Sequence, residues 1–148
     1  MSELETFIVM SVAGTAYALR SHQVQHMEMV EHVTQVPNAA PFVDGVVFSR
    51  GQVVPAINLR ARFGFERAPY DVRTRLIVVS SSGRSVGLIA DDGREFLRLP
   101  DAAITPPQDS LAGLSSRYVE GIASVNGRLI LVLNLANLLE FSEPLVAV

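Results

Sequence analysis

The chain carries one pattern twice. Gly45-Val-Val-Phe-Ser-Arg-Gly-Gln-Val-Val-Pro-Ala-Ile-Asn-Leu59 aligns without gaps to Gly121-Ile-Ala-Ser-Val-Asn-Gly-Arg-Leu-Ile-Leu-Val-Leu-Asn-Leu135. Gly45 falls on Gly121, Gly51 on Gly127, Asn58 on Asn134 and Leu59 on Leu135. Earlier in each half, Phe7-Ile-Val-Met-Ser-Val-Ala-Gly14 aligns with Leu76-Ile-Val-Val-Ser-Ser-Ser-Gly83. A repeat of this size constrains the fold more than any single motif, because each unit must be a supersecondary structure that can be built twice. The units run roughly over 5–64 and 72–141, followed by a C-terminal tail, 142–148.

Each unit shows the same order of elements. A strand (Thr6–Val12; Arg75–Ser81) meets a glycine-bearing turn, then a second strand (Ala16–Leu19; Ser85–Ala90) and a third (Val24–Val33; Glu95–Leu99). A proline-containing linker follows, then a hairpin: Gly45–Ser49 with Gln52–Ile57, and Val119–Val125 with Arg128–Leu133. β-branched residues and glycines at the reversals are hairpin signals. Asn58 and Asn134 read as N-caps of short helices, Leu59–Phe63 and Leu135–Glu140, the first stopped by Gly64. Five short strands closing on themselves are the economical way to hide sheet edges in so small a unit. The expectation is an all-β fold, with two five-stranded β-barrels packed along one apolar seam. At 148 residues the whole fits one domain.

Composition removes several function classes. A net charge of −3 argues against nucleic acid, which asks for a basic face. All 12 cations are arginines, so Schiff-base chemistry and a P-loop lysine are excluded. The absence of cysteine excludes disulfides, thiol nucleophiles and thiolate metal sites. Met1-Ser-Glu-Leu-Glu5 lacks a signal pattern, and the run Leu129–Leu133 is far too short to span a bilayer, so no membrane insertion is expected. Mean hydropathy of +0.30 is high for a soluble monomer and implies apolar surface that a partner covers.

Candidate chemistry fails for want of partners. His22, His26 and His32 suggest a metal, but on a strand His22 and His26 would stand about 13 Å apart. That separation is too great for one zinc, and on a helix no third ligand follows at a usable spacing. They read as surface or groove histidines. Neither Ser80-Ser-Ser-Gly83 nor Gly113-Leu-Ser-Ser116 matches a nucleophile elbow. Asp91-Asp92-Gly93 lacks the spacing of a calcium loop and reads as a turn. Arg50 sits where the chain reverses, between the apolar residues Val46, Phe48 and Val53. From the residues alone it ranks first as a solvated turn residue, second as an interface anchor, and third as a phosphate ligand.

The succession Ala16-Tyr-Ala-Leu19, Val24-Gln25, Pro41-Phe-Val-Asp-Gly-Val46, Arg50-Gly51, Val54-Pro55, Asn58-Leu-Arg60, Gly87-Leu-Ile89, Asp91, Tyr118-Val-Glu-Gly121 and Arg128-Leu-Ile-Leu131 resembles the CheW family from about Glu5 to Phe141. The resemblance implies two SH3-like five-stranded barrels, no cofactor and no enzymatic activity. It implies a cytoplasmic adaptor at membrane-associated receptor arrays. Its partners would be the cytoplasmic tip of a methyl-accepting chemoreceptor and the regulatory domain of a CheA-type histidine kinase. It also implies partner-binding roles for Val24, His26, Gly45, Arg50 and Asp91, with Phe96 and Met27 lining a groove between the barrels. The sequence departs from the family where Val24-Gln25-His26-Met27 replaces a carboxylate by imidazole, and where Ala90-Asp91-Asp92-Gly93 lacks two apolar side chains. The departures point to a diverged adaptor of another chemosensory pathway as an alternative. A small metal-binding barrel enzyme, resting only on the histidines and Asp91-Asp92, is the remaining reading.

Overall fold

The computed structural model describes residues 3–107 and 117–141. Met1, Ser2, the Gly113–Ser116 stretch and the tail 142–148 lie outside the described residues. The strands are β1 (Leu4–Val12), β2 (Thr15–Arg20), β3 (Val24–Met29), β4 (Val43–Ser49), β5 (Gln52–Asn58), β6 (Arg75–Ser81), β7 (Arg84–Ala90), β8 (Asp92–Pro100), β9 (Ile104–Thr105), β10 (Val119–Val125) and β11 (Arg128–Leu133). Two one-turn helices, α1 (Leu59–Arg62) and α2 (Leu135–Leu138), follow β5 and β11.

Strands β8-β1-β2-β11-β10-β9 form one sheet and β3-β6-β7-β5-β4 the other. Each closes on itself: β9 pairs with β10, and Thr34 bridges Val46 of β4 just beyond the end of β3. The two repeat units therefore do not map one to one onto the two sheets, which corrects the division at 5–64 and 72–141. β1 and β2 of the first unit leave it and pair with β8 and β11 of the second, while β6 and β7 of the second pair with β3 and β5 of the first. The pairing of β2 with β11 and of β5 with β7 is parallel, so it joins strands far apart in sequence that no tight turn could connect.

Alternation along β1 and β6 explains why those hairpins can serve as the exchange. Phe7 and Val9 pack inside one sheet with Ala18, Ile130 and Val132, whereas Met10 and Val12 face the seam. In β6, Leu76 and Val78 fill the other sheet's interior with Val54 and Ala56, whereas Ile77 and Val79 face the same seam. A strand buried on both faces reads as a continuous apolar run, as Phe7–Met10 and Leu76–Val79 do. The seam between the barrels is the largest core, holding Leu19, Ile57, Leu88, Leu133 and an aromatic row in which Phe63 lies 4.9 Å from Tyr17 and 5.8 Å from Tyr118.

Local signals mostly landed where the sequence placed them. Asn58 Oδ1 accepts from the Ala61 N–H at 3.1 Å and Asn134 Oδ1 from the Asn137 N–H at 3.0 Å, so both caps hold. The helices are shorter than expected, ending at Arg62 and Leu138. β3 ends at Met29 and not at Val33, since residues 30–33 leave the sheet before Thr34 rejoins it. Asp92-Gly93 does not turn: it opens β8, with Asp92 opposite Ser11 across an irregularity in β1.

Candidate docking surface

The β4–β5 hairpin ends in a two-residue reversal. Arg50 has φ +48° and Gly51 φ +81°, the left-handed pair that a type I′ turn needs. Phe48 and Val53 face each other across the strands and are 73% and 65% exposed. Met29, at the end of β3, is exposed as well and lines a cleft of about 370 Å³ with Val47, Phe48, Ser49 and Arg50. Arg50 has no hydrogen-bond or ion-pair partner among the described residues. An unpaired guanidinium between two outward apolar side chains has the composition of an interface anchor.

Gly45 supports this tip from within. It is buried at φ +150° on a bulge between Val43 and Gly45, and a Cβ there would stand 2.1 Å from the carbonyl oxygen of Thr34. That contact lets the Val46 N–H reach Thr34 O at 2.8 Å and the Thr34 N–H reach Val46 O at 2.9 Å. The backbone that approaches Gly45 is thus the chain's own, and the glycine closes the barrel.

His26 is likewise turned inward. Its side chain is only 10% exposed, and Nε2 lies 2.8 Å from Ser49 Oγ and 3.4 Å from Glu28 Oε2. The expectation of a surface or groove residue is corrected, because β3 and β4 need a polar closure and His26 supplies it. Ser49 donates to Glu28 at 3.1 Å, so its oxygen accepts from the imidazole N–H. In an activated serine the imidazole nitrogen accepts the hydroxyl proton; here that proton points to Glu28, and Ser49 is buried. His22 stands apart in a 3-10 turn beside Glu5, and His32 is exposed beyond β3.

Asp91 is held by Arg60 and Ala13. It accepts from Arg60 Nε at 2.9 Å and Nη2 at 2.7 Å, and from the Ala13 N–H at 2.9 Å. Partial burial pushes its pKa upward, but the bonds from Arg60 and Ala13 prevail and hold the carboxyl below its usual range. The result is a clasp joining the β1–β2 turn to α1.

The remaining expected positions are not gathered with Arg50. Val24 is half-buried at the start of β3, opposite Val79 and against the seam. Phe96 projects from β8 in the other sheet, 61% exposed and opposite Ile8. Met27 and Gly93 meet where β3 and β8 pass: a Cβ on Gly93 would lie 3.2 Å from Met27 Sδ. The long methionine occupies space left by the small glycine.

Two clusters lay beyond sequence reasoning. Asp44 accepts from Asn58 Nδ2 at 2.8 Å, from Arg67 Nε at 2.7 Å and from the Tyr70 hydroxyl. Arg62 lies over Phe42, Phe141 and Tyr118 at 4.6, 4.7 and 5.0 Å, and donates to Leu138 O and Glu140 O, each at 3.0 Å. Both depend on residues between 14 and 79 positions apart, and no local pattern announces them.

A family model described as the CheW-like domain matches residues 6–143. The chain belongs to the CheW-like domain family. It is similar to the chemotaxis protein CheW of Klebsiella aerogenes, 27% identical over 139 residues, covering 94% of this chain and 84% of that protein. It is also similar to the protein FrzA of Myxococcus xanthus, 29% identical over 142 residues, covering 95% of this chain and 85% of that protein. Among solved structures, the scaffolding protein TtCheW of Thermoanaerobacter tengcongensis superposes with a TM-score of 0.86 at 27% identity, covering 99% of this chain and 98% of that one. The two closed sheets of this CheW-like domain are the two SH3-like barrels that the resemblance implies, with the two-residue β9 as a sixth strand in one of them. Among the described residues, no helix is long and apolar enough to cross a membrane.

Proposed function

We propose that this CheW-like domain is a cytoplasmic, non-catalytic adaptor of bacterial chemosensory signalling. It couples the cytoplasmic tip of a chemoreceptor to the regulatory domain of a CheA-type histidine kinase. The observation that carries this reading is the unpaired, apolar-flanked Arg50 tip on a chain matched by the family model almost end to end. Arg50, Phe48 and Val53 form the kinase-facing contact. Gly45 and His26 hold that hairpin against β3, and Asp91 fixes the neighbouring α1. Val24 and Phe96 lie on separate surfaces, as a protein with two partners requires.

A second reading, a scaffold of a different chemosensory pathway, is favoured by His26 in place of a carboxylate and by the likeness to FrzA, a relative that carries another name. Calorimetric titration with kinase regulatory domains from the candidate pathways tests both. Saturable binding to one of them is expected and identifies the pathway. Folded protein that binds none at roughly 100 µM contradicts the adaptor function.

A further inference from the structure

Four strand pairs, β1/β8, β2/β11, β3/β6 and β5/β7, each join a strand from residues before position 65 to one from residues after position 74. The single covalent tie between the two sets is the linker 65–74. Nothing in the pairing requires both sets to come from one molecule. The second unit of another copy can remake every one of these ladders with the same registers. Whether the chain pairs with itself or with a neighbour is therefore decided at the linker.

Ten linker residues can span at most about 33–36 Å when extended, but this linker is folded back. Arg67 Nε reaches Asp44 of β4 at 2.7 Å, Arg67 Nη2 reaches Pro41 O at 2.5 Å, and the Tyr70 hydroxyl donates to the same Asp44 carboxylate. The carboxylate is only 11% exposed. Partial burial, with the bond to Asp44 second, pushes the Tyr70 hydroxyl well above its usual pKa. Beyond Tyr70, the Asp71 N–H donates to Thr74 Oγ1 at 2.8 Å and returns the chain to β6. Tied this way, the tether is short and the second unit starts beside its own first unit. A released tether lowers that effective concentration and lets a neighbouring copy compete.

We propose that the Asp44–Arg67–Tyr70 buckle keeps the two repeat units on one molecule, and that its release lets two copies exchange second units into an intertwined pair. Such a pair displays two Arg50 tips. The exchange itself does not rest on the adaptor reading and needs no partner to be observed.

The test compares the native linker with Arg67→Ala/Tyr70→Phe, each carrying the same inserted protease site after Ala68. Both are unfolded, refolded at high protein concentration and weighed by light scattering. The double variant is expected to form about tenfold more dimer. Cutting the linkers of that dimer should return particles of one chain's mass, because the linkers are all that join the two exchanged bodies. Equal dimer fractions overturn the proposal, and so does a dimer that keeps its mass after cutting. If the double variant does not fold, Arg67→Ala alone gives the same two readings, since that side chain is about half exposed.

Discussion

The β4–β5 and β10–β11 hairpins are the same object built twice, and their tips differ. Arg50-Gly51 and Asn126-Gly127 have nearly the same backbone, φ +48° and +81° against +52° and +77°. Asparagine is among the few non-glycine residues that visit this region readily, so Asn126 needs no other explanation. Arginine has no such advantage. Where Phe48, Arg50 and Val53 face outward in the first barrel, the second has Ser124, Asn126 and Leu129, and its neighbouring Arg128 is tied to Glu95 at 2.6 Å. The turn requires the glycine in both barrels and the arginine in neither. Duplication leaves one tip structural and the other free to carry a contact.

The two hairpins should respond most differently at the paired glycines. A Cβ on Gly45 meets backbone at 2.1 Å and at φ +150°, whereas one on Gly121 meets the Ile104 Cγ2 side-chain atom at 2.3 Å. Backbone cannot step aside, and a side chain can. Gly45→Ala should cost more than about 3 kcal/mol in urea unfolding, and Gly121→Ala about 1–3 kcal/mol. Equal losses would mean that the barrels close by equivalent means after all.

A smaller effect belongs to a clasp that ties the second unit's Asp91 to Ala13 and Arg60 of the first. Arg60 has Ala136 as its counterpart, so the Arg60–Asp91–Ala13 link joins the first hairpin to α1 with no second copy. Asp91→Asn is expected to cost about 1–2 kcal/mol. Because the folded carboxyl sits below its usual range, its stabilisation is fully present above the unfolded value near 4 and is lost as pH falls through the folded value. The wild type should therefore lose stability below about pH 4 more steeply than Asp91→Asn. Parallel acid limbs would show that Asp91 is not held as the geometry indicates.

Much of this was legible in the sequence. Glycine at 14, 51, 83 and 127 announced four reversals, and Asn58 and Asn134 announced two helix starts, because turns and caps are written in neighbouring residues. The exchange of hairpins between units was not legible. A period of two tells which residues point inward, but not which strand lies alongside, and β2 and β5 find parallel neighbours far along the chain. The same limit applied to the site. The flanking apolar residues of Arg50 were visible, but the inward turn of His26 depends on Ser49, 23 residues away. Asp91 looked like half of a local turn because its partner Arg60 is 31 residues distant.

One substitution decides whether Arg50 serves a partner or the fold. Arg50→Asn copies the second tip onto the first and keeps the backbone that Asn126 already adopts. Calorimetry against the kinase regulatory domain, beside thermal unfolding of the same samples, reads binding and stability together. The expected result is an unchanged or slightly raised melting temperature with affinity reduced about tenfold. Unchanged affinity would return Arg50 to the role of a solvated turn residue.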